Sequence, residues 1–217
     1  MLEAARGLGD GQHMINIIEN IDFTPPLDPW DLFDHWFLLA TQHEINDPNA
    51  MALATVGEDG MPSVRIMLLK EHDRNGFIFY TNRHSRKGEQ LLGLRAALCW
   101  HWKSLRRQIR AEGLISIISD QESDLYFSQR PRGSQIGAWA SQQSQYLENR
   151  SILEERVRSL EERYKGKVVP RPPYWGGYKL TPLRIEFWQD RAFRLHDRFL
   201  YKRSSDKEGW SIERLYP

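Results

Sequence analysis

Cysteine is almost missing from this chain of 217 residues. The single one, Cys99, excludes an internal disulfide and a cysteine-built metal cluster, and suits a reducing compartment. Net charge is equally scarce: 30 basic against 29 acidic side chains leave +1, so no global field recruits nucleic acid or an anionic membrane. Any anion has to be recognised locally. No apolar run is long enough to suggest a spanning helix, and the start MLEAARGLGDGQHMINIIEN lacks the basic flank and apolar stretch of a signal peptide. The expectation is a soluble, cytoplasmic protein. Familiar catalytic signatures are absent as well. There is no GxGxxG, no Walker loop and no nucleophile elbow; His43-Glu44 lacks the second histidine of a zincin; Cys99 has no evident base beside it.

What is present is 40% hydrophobic content, enough for a sizeable core, and eight tryptophans, which serve a planar ligand or subunit interface as readily as core packing. Residues 1–26 carry Gly, Asn and Pro-Pro without periodicity and read as a mobile arm, with residues 27–217 as a single domain. Asp28 and Pro29 predict a helix start, and Leu32, Phe33, Trp36, Phe37 and Leu39 recur at helical spacing to about Gln42. Strand-like runs follow at Met51–Val56, Ser63–Leu69 and Phe77–Thr81, separated by sharp turns that predict an antiparallel meander. Ser85 caps an expected helix to about Leu94, and strands are expected over Ala96–Trp102 and Gln108–Ile118, the second with a bulge or bend at Gly113. The middle third reads as helical, over Asp120–Gln129, Arg130–Ser144 and Asn149–Tyr164. A Pro/Gly loop over Lys165–Gly177 leads to strands at Leu183–Gln189, Arg194–Tyr201 and Trp210–Leu215. The fold expected is mainly β with flanking helices, an antiparallel barrel built from strands at both ends of the chain, because neither group alone buries its faces.

Several residues invite chemistry. The stretch RPRGSQIGAWASQQS, from Arg130 to Ser144, is rich in donors; with Pro131 at a first helical position it reads as a phosphate grip or, equally, as a solvated surface helix. Arg65 and Lys70 stand five positions apart on one expected strand, roughly 16 Å and on opposite faces, so they serve two anions or include an ordinary surface charge. Arg86 and Lys87 follow Ser85 in a first helical turn, where positive charge opposes the macrodipole unless an anion binds. Arg194, His196 and Arg198 alternate along RLHDRF and are expected on one face, toward solvent or a polar site near Trp188. Local anion grips, abundant tryptophan and no acyl-transfer or metal apparatus point to a borrowed cofactor.

Taken in order, the motifs RIMLLK (65–70), FYTN (79–82), SRKGEQ (85–90), RRQIRAEG (106–113), YFSQRPRGSQIGAWASQQS (126–144), IEFWQ (185–189) and RLHDRFLY (194–201) resemble the pyridoxamine (pyridoxine) 5′-phosphate oxidase family, from about Asp28 to Pro217. The resemblance implies an FMN-binding split β-barrel homodimer, with FMN at the subunit interface and no nucleic acid, membrane or metal partner. It places Arg65, Ile66, Met67, Leu68, Leu69 and Lys70 along the flavin and its ribityl chain, and Tyr80, Thr81, Arg86 and Lys87 toward the FMN phosphate. Gln108, Gln143, Ser144, Trp188 and Arg198 complete the cofactor site. Substrate phosphate falls to Lys70, Tyr126, Arg130 and Ser134, and Arg194, Leu195 and His196 flank the pyridine ring, Arg194 and His196 as the catalytic candidates. The implied reaction oxidises pyridoxamine or pyridoxine 5′-phosphate to pyridoxal 5′-phosphate, with hydride transfer to the flavin and reoxidation by dioxygen to hydrogen peroxide. Alternatives are a phenazine-pathway relative, which lacks the full substrate-phosphate set, and a non-catalytic split barrel that binds flavin, haem or pyridoxal phosphate. One departure stands out: IIENIDFTPPLDPW lacks the basic pair and tyrosine with which well-known members cover the substrate, so that lid is replaced, supplied elsewhere or absent.

Overall fold

The computed structural model describes residues 24–217. Most of the expected mobile arm, and half of the segment compared with a substrate lid, lies outside the described residues. The first helix of the described residues begins as its sequence requires. The Asp28 carboxylate accepts from the Trp30 amide, Pro29 takes the first helical position, and α1 runs Pro29–His43. Its buried face lies against the sheet, Trp30 on Phe77, Phe33 on Trp100 and Trp36 on Phe187, with ring centroids 4.9, 5.3 and 5.3 Å apart.

The strands are β1 (Ala50–Val56), β2 (Pro62–Leu68), β3 (Glu71–Asp73), β4 (Gly76–Asn82), β5 (Arg95–Trp102), β6 (Arg107–Ile117), β7 (Trp175–Gln189), β8 (Asp197–Lys202) and β9 (Ser211–Arg214). Every pairing is antiparallel, in the order β2-β1-β5-β6-β7-β4-β3, with β8 on the second half of β7 and β9 beyond it. β2 and β3 sit at opposite ends of that order, yet only Leu69 and Lys70 separate them in the chain. Three Cα steps reach about 11 Å at most. The sheet therefore has to curl until its edges nearly meet, which makes the split barrel, mainly β with flanking helices, that was expected. Inside it, α1 and the inward residues Leu53, Phe79, Leu98, Ile109, Tyr178, Leu180, Ile185 and Tyr201 form one buried cluster.

The meander does not form. β1 and β2 pair as a hairpin, but β4 pairs with the unexpected β3 and with β7, since the two-residue crossing carries the chain to the far edge. The loop expected up to Gly177 also yields. β7 starts at Trp175, because Phe77–Asn82 of β4 offers a full ladder to Trp175–Leu180. Pro182 is tolerated in this long strand because it lies at the register shift opposite Gly113, where the ladder is already interrupted. A Cβ on Gly113 would stand 2.1 Å from the Thr181 carbonyl oxygen, so the bulge expected there depends on glycine. Finally, the strand expected from Arg194 begins only at Asp197. Phe193 and Arg194 adopt φ of 57° and 63°, wrapping Ala192–Arg194 into a 3-10 turn that no extended strand can contain.

Four further helices lie outside the barrel. α2 (Arg86–Gln90) is capped by Ser85; it is shorter than expected, passing into a 3-10 turn over Leu91–Gly93 that left-handed Leu94 ends. α3 (Asp120–Gln129) starts on a reciprocal Ser119–Glu122 capping box, and α5 (Arg150–Arg163) on Asn149. Pro131 occupies the position before α4 (Arg132–Ala140) rather than its first turn, and its carbonyl accepts from the Ser134 and Gln135 amides. A second cluster of Phe127, Ile136, Tyr164, Val169 and Trp175 fastens these helices to β4 and β7.

Candidate active site

The seam between β2 and β4 opens into a cavity of about 540 Å³. Ile66, Met67, Leu68 and Lys70 line one side; Tyr80, Tyr126, Gln129, Arg130, Pro131, Ser134 and Trp175 line the other. A second cavity of about 380 Å³ shares Met67, Tyr80, Arg130, Ser134 and Trp175 and continues to Thr81, Asn82, Lys87, Ser141 and Gln143. Both are bounded by a flat aromatic wall. Tyr80 lies 3.9 Å from Tyr126 and 5.4 Å from Trp175, with the planes within 10° and 9° of parallel. Gly177, paired with Tyr80 across the ladder, leaves room for the ring, since a Cβ there would stand 2.8 Å from Tyr80 Cε1.

The cations around these cavities are held without countercharge. Arg65 donates to Leu53 O, Thr55 Oγ1, Ser63 Oγ and Gln90 Oε1 at 2.6–3.2 Å, all neutral acceptors. Burial first, then the charge of Arg86, pulls its pKa below the ordinary arginine value. Lys87 is buried, with Nζ 3.3 Å from Ser85 Oγ, and burial followed by repulsion from Arg65 depresses its pKa. Arg130 lies over the Trp175 ring at 4.6 Å, and its buried Nη1 has no hydrogen-bond partner. Burial lowers its pKa too, despite some help from Tyr126. Among the described residues, no carboxylate forms an ion pair with Arg65, Lys70, Arg86, Lys87 or Arg130. Lys70, Lys87 and Arg130 line the two cavities, and the charge of Arg65 reaches Lys87 from behind; such a group is complementary to anions with several acceptor oxygens.

Arg65 and Lys70 do not share one strand as expected, because β2 ends at Leu68 and Lys70 lies in the crossing, where its amide donates to Ile78 O. Lys70 lines the larger cavity; Arg65 lines neither and lies behind the β1–β2 hairpin. Leu69 is part of the barrel core. Arg86 is exposed and borders the group only through its charge on Arg65. Gln143 enters the smaller cavity, whereas Ser144 is exposed with φ of 72° and lines neither.

The remaining expected residues form a separate group. Gln108, Trp188 and Arg198 are register partners across β6, β7 and β8, which places them in one row on one face. The His196 ring lies 4.5 Å from Trp188, and Arg198 is held by Glu186 at 2.9 Å. Arg194 and Leu195 are exposed in the turn. The expected alternation of Arg194, His196 and Arg198 along one strand is thus not realised, since only Arg198 belongs to β8. Neither seam cavity contains any of these residues, so the two groups do not meet within one chain. Ser141, one of the donors in the expected phosphate grip, lines the smaller cavity, whereas Trp175, Asn82 and Gln129 were assigned no role from the sequence; Trp175 fell in a segment whose proline and glycine content masks a strand.

Comparison with known proteins gives the family and the fold. Residues 39–164 match the family described as Pyridoxamine 5′-phosphate oxidase, and residues 175–217 match the Pyridoxine 5′-phosphate oxidase C-terminal dimerisation region. Proteins named pyridoxine/pyridoxamine 5′-phosphate oxidase from Brucella canis and Brucella suis are each 52% identical over 197 residues, covering 90% of this chain and 97% of each relative. Among solved structures, PhzG from Burkholderia lata, in complex with tetrahydrophenazine-1-carboxylic acid, superposes with a TM-score of 0.84 at 32% identity over 91% of this chain and 98% of that one. A pyridoxamine 5′-phosphate oxidase-related, FMN binding protein from Nostoc punctiforme shares the fold, at TM-score 0.71 and 20% identity over 89% of this chain and all of that one. On the family match and the 52% identity, the chain belongs to the pyridoxamine 5′-phosphate oxidase family.

Proposed function

We propose that this protein is an FMN-dependent oxidase that converts pyridoxamine or pyridoxine 5′-phosphate to pyridoxal 5′-phosphate. The observation that carries the reading is the pairing of the flat Tyr80–Tyr126–Trp175 wall with Lys70, Lys87 and Arg130, cavity-lining cations that lack carboxylate partners among the described residues. Such a seam fits two phosphorylated planar molecules better than it fits a neutral one. FMN, when bound, supplies a ring that accepts a hydride and returns its electrons to dioxygen, giving hydrogen peroxide. Arg65, Arg86 and Lys87 hold its phosphate, with Tyr80, Thr81, Gln143 and Ser144 beside them, and residues 66–70 follow the ring and ribityl chain. Lys70, Tyr126, Arg130 and Ser134 grip the phosphate of the vitamer. The buried Nη1 of Arg130 supports this role, because an unmade hydrogen bond in a low-dielectric site favours an anion that makes it.

Gln108, Trp188, Arg194, Leu195, His196 and Arg198 come to the same site from a second copy, in a homodimer with FMN at the interface. Two features support that reading. These residues line neither seam cavity of their own chain, and β2 turns Val64 and Ile66, each 67% exposed, toward solvent as an apolar face. Arg194 and His196 then orient the reacting end of the pyridine against the flavin, and proximity supplies much of the rate.

Anaerobic addition of pyridoxamine 5′-phosphate to the purified yellow protein is expected to bleach the flavin spectrum, and admission of air to restore it with formation of hydrogen peroxide. An unbleached spectrum would point to a binding protein instead. The phenazine-type alternative is separated by pyridoxamine itself: an enzyme built around the vitamer's phosphate discriminates strongly against it, whereas indifference to the phosphate would favour the alternative.

A further inference from the structure

Asp190 and Arg106 belong to none of the groups above, yet Asp190 stands against His196 and Arg106 against Asp190. Asp190 Oδ1 lies 2.9 Å from His196 Nδ1, with both side chains mostly buried, at 15% and 14% exposure. The other oxygen, Oδ2, pairs with the Arg106 guanidinium, so the carboxylate is shared between the two partners. The backbone repeats the link: the Asp190 amide donates to Arg106 O at 3.0 Å, and left-handed Arg106, with φ of 53°, closes the turn between β5 and β6. On its far side the imidazole lies 4.5 Å from the Trp188 ring.

One atom of His196 receives two incompatible offers. The Arg191 amide donates toward Nδ1 at 3.1 Å, which requires a lone pair there; the Asp190 carboxylate at 2.9 Å requires a proton there. A hydrogen bond to a carboxylate is roughly twice as strong as one between neutral groups, and an oxygen anion facing a nitrogen lone pair is repulsive. Donation to Asp190 therefore wins.

We propose that Asp190, held by Arg106, is a positioning residue that keeps the proton of neutral His196 on Nδ1 and so leaves Nε2 as a hydrogen-bond acceptor. Resting on the function proposed above, the inference fixes what His196 offers the substrate: an acceptor for the N–H or O–H of the amine or alcohol being oxidised. Without the carboxylate, the Arg191 amide is the remaining partner of Nδ1, the proton moves to Nε2, and an acceptor becomes a donor of the wrong polarity.

The test uses the FMN-loaded protein with ¹⁵N-labelled histidine, the His196 signals being identified by their loss in His196→Asn. Nitrogen shifts are expected to report the Nδ1–H tautomer in the wild type and Nε2–H in Asp190→Ala, with Asp190→Glu recovering part of the wild-type pattern. Anaerobic flavin reduction by pyridoxamine 5′-phosphate is expected to slow at least about tenfold in Asp190→Ala with KM changed less than about threefold, as for a misoriented group outside the phosphate grip. Should Asp190→Ala fold poorly, Arg106→Gln gives a milder form of both effects. An Nε2–H tautomer in the wild type, or a tautomer and reduction rate unmoved in Asp190→Ala, overturns the inference. Failure of the wild-type flavin to bleach overturns the proposed function instead and leaves the tautomer measurement standing.

Discussion

The Tyr80 and Tyr126 rings are stacked 3.9 Å apart, although one rises from β4 inside the sheet and the other from α3 outside it. The contact fastens the helical layer to the barrel at the point where the cavity opens. Burial raises both phenol pKa values, so both rings are neutral hydrogen-bond donors at ordinary pH.

Under the proposed function Tyr126 combines two roles, stacking and phosphate binding, that substitution separates. Tyr126→Phe is expected to keep the stack and the melting temperature while raising KM for pyridoxamine 5′-phosphate severalfold. Tyr126→Ala removes the ring as well, and is expected to cost about 1–3 kcal/mol of stability from lost aromatic packing. Denaturant midpoints beside steady-state kinetics separate the two.

Lys87 makes the opposite trade. Its pKa is depressed by burial and by Arg65, so at alkaline pH the unfolded chain holds a proton on this lysine that the native protein has already released. Stability of the flavin-free protein should accordingly rise with pH between the folded value and the ordinary lysine value. Lys87→Met is expected to remove that slope, to stabilise the flavin-free protein near neutral pH, and to weaken FMN binding by about tenfold or more. Thermal melts across pH and a fluorescence titration with FMN test the three statements.

Gly113 tests the fold apart from the chemistry. A methyl group there would meet the Thr181 carbonyl oxygen at 2.1 Å and the Pro182 Cα at 2.7 Å, both backbone atoms that cannot swing aside. Gly113→Ala is expected to destabilise by about 2 kcal/mol or more through displacement of β7. An unchanged urea midpoint would show that the bulge relaxes freely.

The proposed sharing of the site between copies predicts complementation. Arg130→Ala and His196→Ala should each be nearly inactive alone. Unfolded together and refolded as a mixture, they should regain about a quarter of wild-type activity, because half the dimers are mixed and each of those has one intact site. No recovery would place both residues in a site of one chain.

Local signals were legible without a structure. The Asp28-Pro29 start of α1, the Asp120 start of α3 and the Asn149 start of α5 rest on contacts within three residues along the chain, and the bulge at Gly113 rests on a residue type with few alternatives. The order of motifs also reached the family. Long-range pairing was not legible. That β4 leaves its neighbour β2 for β7, that β7 runs back through Pro182 to Trp175, and that Arg194 leaves the extended strand all depend on partners distant in the chain.

By itself, the sequence determined most element types, the mainly antiparallel barrel and the candidate anion-binding side chains, because propensity, capping and charge are properties of residues and near neighbours. Only the tertiary structure decided that Lys70, Tyr126 and Arg130 share one seam while Gln108, Trp188 and His196 gather away from it, and that Asp190 stands against His196. The reason is physical. A curled sheet closes through two residues at Leu69–Lys70, and what that closure brings together depends on the register of ladders between strands far apart in the chain, which no local pattern carries.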